Sequence, residues 1–175
     1  NILYSIVISI VTSTLYIYSG GFKAIIRTDK LQFVLMYTGF GIMIYQLLST
    51  YGGYNFLINN VPQENLHITE NLSLSYIFSW FFISLIIVID PSIYQRTYST
   101  ANIKTIKKGF LYSIGLWFIF DVLTIATGLY ASALITEANL TSSPYLQLSE
   151  MVLSPIFYSI FIISLLSIVM STIDS

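Results

Sequence analysis

Long apolar runs constrain this chain more than any other feature of it. "SLSYIFSWFFISLIIVID" and "GFLYSIGLWFIFDVLTIATGLYASAL" each carry almost no charge before the single aspartate that ends or interrupts them. Five such stretches occur, at roughly 1–18, 31–49, 72–90, 109–134 and 151–173. Each is close to the ~20 apolar residues that a membrane-crossing helix needs. Barrel strands would be about 10 residues long and would alternate apolar with polar, which these do not. The pattern predicts an all-α membrane protein with five transmembrane helices. Composition agrees: only 9% of the 175 residues are charged, against about 25% in soluble domains. That is too little charge to cover a water-facing surface.

Several function classes drop out. The net charge is −1, so nothing points to nucleic acid. There is no cysteine, which excludes disulfides and thiolate metal sites. The single histidine, His67, sits in a polar loop, so bis-histidine haem ligation within this chain is excluded. No paired carboxylates, histidine cluster or nucleophile–base pair lie on the spans, so an enzyme is not expected. The first run has no basic leader and no cleavage site before a soluble domain, which separates it from a signal peptide. The chain begins inside one apolar run without Met and stops inside another. It therefore reads as part of a longer membrane protein, with one partial domain over 1–175.

Charge sets the orientation. Lys23, Arg27 and Lys30 fall in the segment 19–30, and Arg96, Lys104, Lys107 and Lys108 in 91–108. These are all seven basic residues. Segments 50–71 and 135–150 contain none and carry Glu64, Glu70, Glu137 and Glu150 instead. Five spans put the first pair of loops on one side and the second pair on the other. Basic residues favour the cytoplasm, so 19–30 and 91–108 are expected inside a plasma membrane and 50–71 and 135–150 outside it. The short, common glycosylation patterns at Asn71 and Asn139 fall on the outer side.

A few residues break the apolar rule. Asp121 lies mid-span, where a charge costs at least about 2.5 kcal/mol. Thr124, Gly128 and Ser132 follow at i+3, i+7 and i+11, so the carboxyl heads a polar face directed at protein or a water-filled cavity. Two readings stand: a coupling-ion, proton or substrate contact, or a structural carboxyl bonded to a neighbouring helix. The last run carries Ser164, Ser167, Ser171 and Ser175 on one face. Small hydroxyl residues let membrane helices approach closely, and a serine pair can also ligate sodium. Asp90 and Pro91 end the third run, where proline can break a helix and free its carbonyls. Gly20 and Gly21 end the first. Trp80 and Trp117 read as packing or interfacial residues.

Three stretches in chain order resemble the sodium:solute symporter family. "YSGGFKAIIRTDKLQ" is similar to its stretch between two helices, through Tyr18, Gly20, Gly21, Ala24, Thr28, Asp29 and Gln32. "DPSIYQRTYSTANIKTIKKG" is similar to an inner segment that passes through Gln95 and Arg96 and returns at a Lys-Gly. "VMSTIDS" is similar to the family's Met-Ser-Thr-x-Asp-Ser stretch in its sodium-binding helix.

The resemblance implies two inverted five-helix repeats (5+5), of which this chain would hold the last two helices of one and the first three of the other. It implies a sodium-coupled secondary transporter that imports a small organic solute by alternating access. Its partners would be the lipid bilayer, the solute and sodium as coupling ion, with no organic cofactor. Positions where sugar-carrying members place polar or aromatic residues are Ile86 and Ile83 here, so an amino acid or organic acid is expected rather than sugar. Ser171 and Thr172 would supply hydroxyl oxygens to sodium, with the Ile168 carbonyl as a third ligand, since i, i+3 and i+4 lie together on a helix. These three oxygens cannot replace sodium's water shell alone, so a half-site is expected. Asp174 would lie beyond it, along the ion's exit. The alternative is a non-transporting structural subunit of a membrane complex, whose Asp121 and hydroxyls serve packing only.

Overall fold

The structure is a computed structural model that describes residues 2–66, 72–135 and 142–174. His67, Asn71, Asn139 and Ser175 lie outside these residues. Every regular element among the described residues is helical: α1 (Ile2–Tyr51), α2 (Tyr54–Asn60), α3 (Leu74–Ser84), α4 (Pro91–Tyr98), α5 (Ile103–Leu134), α6 (Pro144–Val152) and α7 (Pro155–Asp174). Short 3₁₀ turns occupy Gln63–Leu66 and Leu85–Ile89.

Among the described residues, three helical stretches are long and apolar enough to cross a membrane: Gly20–Tyr51, Ile103–Leu134 and Pro155–Ile173. Leu74–Ile89 and Pro91–Tyr98 meet at 41° and make a fourth if the pair is one span.

All four expected loops carry helix among the described residues. Segment 19–30 is helical except at one residue, Gly21, whose backbone (φ 56°, ψ −159°) only glycine adopts without strain. After Gly21 no breaker follows, and Thr28 satisfies its hydroxyl inside the helix on the carbonyls of Ala24 and Ile25, at 3.2 and 2.9 Å. Segment 91–108 contains α4 and the start of α5, which begins at Ile103 rather than 109. A 32-residue helix rises about 48 Å, against a hydrocarbon thickness of roughly 30 Å. Charged turns can thus remain helical beyond the lipid. Segments 50–71 and 135–150 also carry helix, in α2 and in α6, which runs on to Val152. The last span starts at Pro155, after this separate short helix.

Two compact units divide the chain, 1–60 with 123–175, and 61–122. In the first, α1 packs against α7 and α6. Phe40 meets Phe161 and Tyr145 edge-on at 5.2 and 5.8 Å, and Met43, Leu47, Leu148 and Phe161 are fully buried. Gly39 lies directly under Ser164, where a β-carbon would overlap both the Cβ and Oγ of the serine. Tyr130 stacks on Phe56 at 5.9 Å and its hydroxyl donates to the carbonyl of Gly52, tying α5 to the turn after α1.

The second unit holds α3, α4 and the start of α5. Ser73 caps α3, its hydroxyl accepting from the Tyr76 amide. The helix then tightens into the 3₁₀ turn and stops at Asp90. Asp90 caps α4 in turn, its Oδ1 accepting from the Ser92 amide at 2.8 Å, with Pro91 at the first helical position. That position suits proline, which has no amide to leave unsatisfied.

Candidate ion and solute site

The last two turns of α7 carry the residues singled out for sodium. The Thr172 hydroxyl donates to the carbonyl of Ile168 at 3.0 Å, one turn back in the helix, as Ser167 does to Ile163. Ser171 is half-buried and Thr172 exposed. Inside α7 the Ile168 carbonyl also accepts from the Thr172 amide, so its two lone pairs are engaged and a cation there would take the place of the hydroxyl's hydrogen bond. Asp174 continues the helix.

The serine seam divides along its length. Ser164 and Ser167 are buried and return their hydroxyls to their own helix, on the carbonyls of Phe161 and Ile163 at 2.7 and 2.8 Å. With Gly39 beneath Ser164, these two serve the contact with α1. Nothing in the seam itself flagged Gly39. The signal available was a small residue in an apolar run, which lets a second helix approach.

In the unit 61–122, α4 and α5 border a cavity of about 730 Å³. Asp121, Arg96, Thr97, Thr100 and Thr105 are among its lining residues. Asp121 is exposed and lines this cavity, one of the two surroundings expected for it. The polar face expected to continue from it serves a different purpose. The Thr124 carbonyl accepts from the Tyr145 hydroxyl at 3.2 Å, and that hydroxyl is also what a β-carbon at Gly128 would meet. Burial raises the pKa of this phenol above its ordinary value. Ile83 and Ile86 are exposed, at 53% and 66%, and the cavity takes Ile87 from this segment.

At the break between α3 and α4 the Tyr94 hydroxyl donates to the Val88 carbonyl at 2.6 Å, across Asp90 and Pro91. Proline composition alone gave no hint of this clamp. Gln95 and Arg96 are exposed on α4. On α1, Asp29 is half-buried and Gln32 is 6% exposed, one turn apart. Among the described residues no three His, Cys, Asp or Glu side chains gather around a common metal position.

The family model for the sodium:solute symporter family matches residues 1–175, the whole of the sequence. The chain belongs to the sodium:solute symporter family. No curated protein and no solved structure matches it. As a symporter chain, it is a multi-pass membrane protein whose helices serve sodium-linked transport. The three symporter-like stretches lie at three different structural features: Gly20 and Gly21 at the α1 break, Asp90 to Arg96 at the α4 cap, and Ser171 and Thr172 near the end of α7.

Proposed function

We propose that this chain is part of a transporter that imports a small organic solute, an amino acid or organic acid rather than a sugar, down the sodium gradient by alternating access. Membership of the symporter family over residues 1–175 carries this reading. Sodium binds at the end of α7, through the hydroxyls of Ser171 and Thr172 and the carbonyl of Ile168. The likeness of "VMSTIDS" to the family's sodium-binding stretch supports this assignment. Further oxygens, from outside these two turns, complete the shell.

The membrane is crossed five times, at roughly 1–18, 31–49, 72–90, 109–134 and 151–173. The basic segments 19–30 and 91–108 face the cytoplasm, and 50–71 and 135–150 the exterior. Single cysteines at Asn59 and Ser142 should react with an impermeant thiol reagent in intact cells, and one at Thr105 should not. The opposite pattern would reverse the orientation. Asp121 contacts the coupling ion or the solute, a role supported by its position mid-helix on a cavity. Asp121→Asn should reduce uptake by the full-length protein well beyond any loss of expression. Full uptake would leave the carboxyl a packing role.

The decisive experiment measures uptake of amino acids, organic acids and sugars by the full-length protein in vesicles, with and without an inward sodium gradient. Gradient-dependent accumulation of one of the first two classes is expected. Equal uptake without sodium would end the proposal.

A further inference from the structure

We propose that the Tyr94 hydroxyl is a latch that holds the broken span Leu74–Tyr98 in its bent form, and that without it α4 swings about Asp90. The latch concerns the bend alone and is independent of sodium coupling.

At the break the Val88 carbonyl has lost both of its helical donors. A helical carbonyl accepts from the amide four residues on, or three residues on in a 3₁₀ turn. Three residues after Val88 stands Pro91, which has no amide. Four residues after it stands Ser92, whose amide is held by Asp90 Oδ1 at 2.8 Å. The next two amides turn to Asp90 as well: those of Ile93 and Tyr94 donate to its carbonyl at 3.2 and 3.5 Å. On the other side of the break the Asp90 amide reaches the Ile87 carbonyl at 3.4 Å. The Tyr94 hydroxyl supplies the donor that Val88 lacks, at 2.6 Å.

This bond requires the bend. On a straight helix residues six apart lie about 240° apart around the axis, so they do not share a face. Here the backbone at Asp90 is extended (φ −69°, ψ 119°) and the two arms meet at 41°, which lets the Tyr94 ring reach back to the end of the 3₁₀ turn. Tyr98, one turn further along α4, stacks on Tyr94 at 6.3 Å and steadies the ring on its own helix. The donor thus belongs to α4 and the acceptor to the arm before Asp90, so one hydrogen bond ties the two arms together. In a span that crosses lipid no water stands ready to replace that donor, so releasing the hydroxyl leaves Val88 a carbonyl that only a rearranged backbone can satisfy.

The test uses the full-length protein in lipid vesicles, spin-labelled at Phe78→Cys on α3 and Ser99→Cys after α4, both exposed positions, as its only cysteines. Pulsed electron resonance should give one narrow distance between the labels. Tyr94→Phe keeps the ring and its stacking. It should broaden the distribution toward longer distances, as the arms straighten, and should quicken amide exchange in the peptide 91–98 about tenfold, the effect of one carbonyl left unsatisfied. Tyr94→4-aminophenylalanine returns a donor to the same point and should restore the narrow distance. An unchanged distribution in Tyr94→Phe would overturn the latch. Broadening that 4-aminophenylalanine does not reverse would overturn it too, because the ring rather than the donor would then hold the bend. If Tyr94→Phe alone does not insert, the pair Pro91→Ala with Tyr94→Phe should, since an amide at position 91 gives Val88 a donor three residues on. Failure of the pair as well would contradict the role assigned to the hydroxyl.

Discussion

Helices α1 and α7 meet with a glycine against a serine, while the first turns of α5 border a cavity with their aromatic side chains uncovered. Both regions are built from apolar membrane helices, yet they differ in residue size. Gly39 and Ser164 let two backbones approach until Phe161 is fully enclosed. Along α5, Phe110, Trp117 and Phe118 stand out from the helix and are about half exposed or more. In lipid there is no hydrophobic drive to bring helices together, so close packing needs small residues and hydroxyls at the contact. Large aromatics alone leave a helix content with lipid.

The sharpest way to break this contrast is Gly39→Leu. A β-carbon there already collides with the Cβ and Oγ of Ser164, and overpacking of this kind costs about 1–3 kcal/mol. Thermal unfolding of the full-length protein in detergent should show the largest loss of all these variants. Unchanged stability would mean that α1 and α7 do not cross here. Gly21→Ala comes next. A β-carbon meets nothing within 4 Å, so the whole effect is backbone strain, about 1–3 kcal/mol for a non-glycine residue in such a region. A neutral result in the same assay would show that α1 is not broken at this residue.

Tyr130→Phe keeps the ring stacked on Phe56 and removes only the hydrogen bond to Gly52. The expected loss is about 1 kcal/mol, visible as faster amide exchange in the turn after Tyr51. Phe118→Leu, on the open side of α5, should change stability by less than about 0.5 kcal/mol. A larger loss would show that this face is packed against protein.

Apolar runs were legible in the sequence because lipid tolerates few charges, and each expected span lies within or overlaps an observed helix. Their ends were less legible. Lys23, Arg27 and Lys30 mark where lipid ends, but a hydrogen-bonded backbone does not stop at a charge, so α1 continues through them. The same holds for α5 at Lys104, Lys107 and Lys108. Asp90 and Pro91 did mark a true end, because a cap and a missing amide act on the backbone directly. The approach of Thr172 to Ile168 follows from helical spacing alone. The partners of the Asp121 face do not: Tyr145 reaches Thr124 from 21 residues away, and no periodicity within α5 encodes that contact.

The central claim divides one row of hydroxyls into two roles, packing at Ser164 and Ser167 and sodium at Ser171 and Thr172. The half-saturating sodium concentration for uptake by the full-length protein tests it most directly, measured for Ser167→Ala and Thr172→Ala side by side. Thr172→Ala should raise that concentration about tenfold, as loss of an ion contact worth roughly 1.4 kcal/mol requires, and Ser167→Ala should leave it unchanged while lowering the amount of folded protein. Equal sodium dependence in the two variants would contradict the division and return the whole seam to packing.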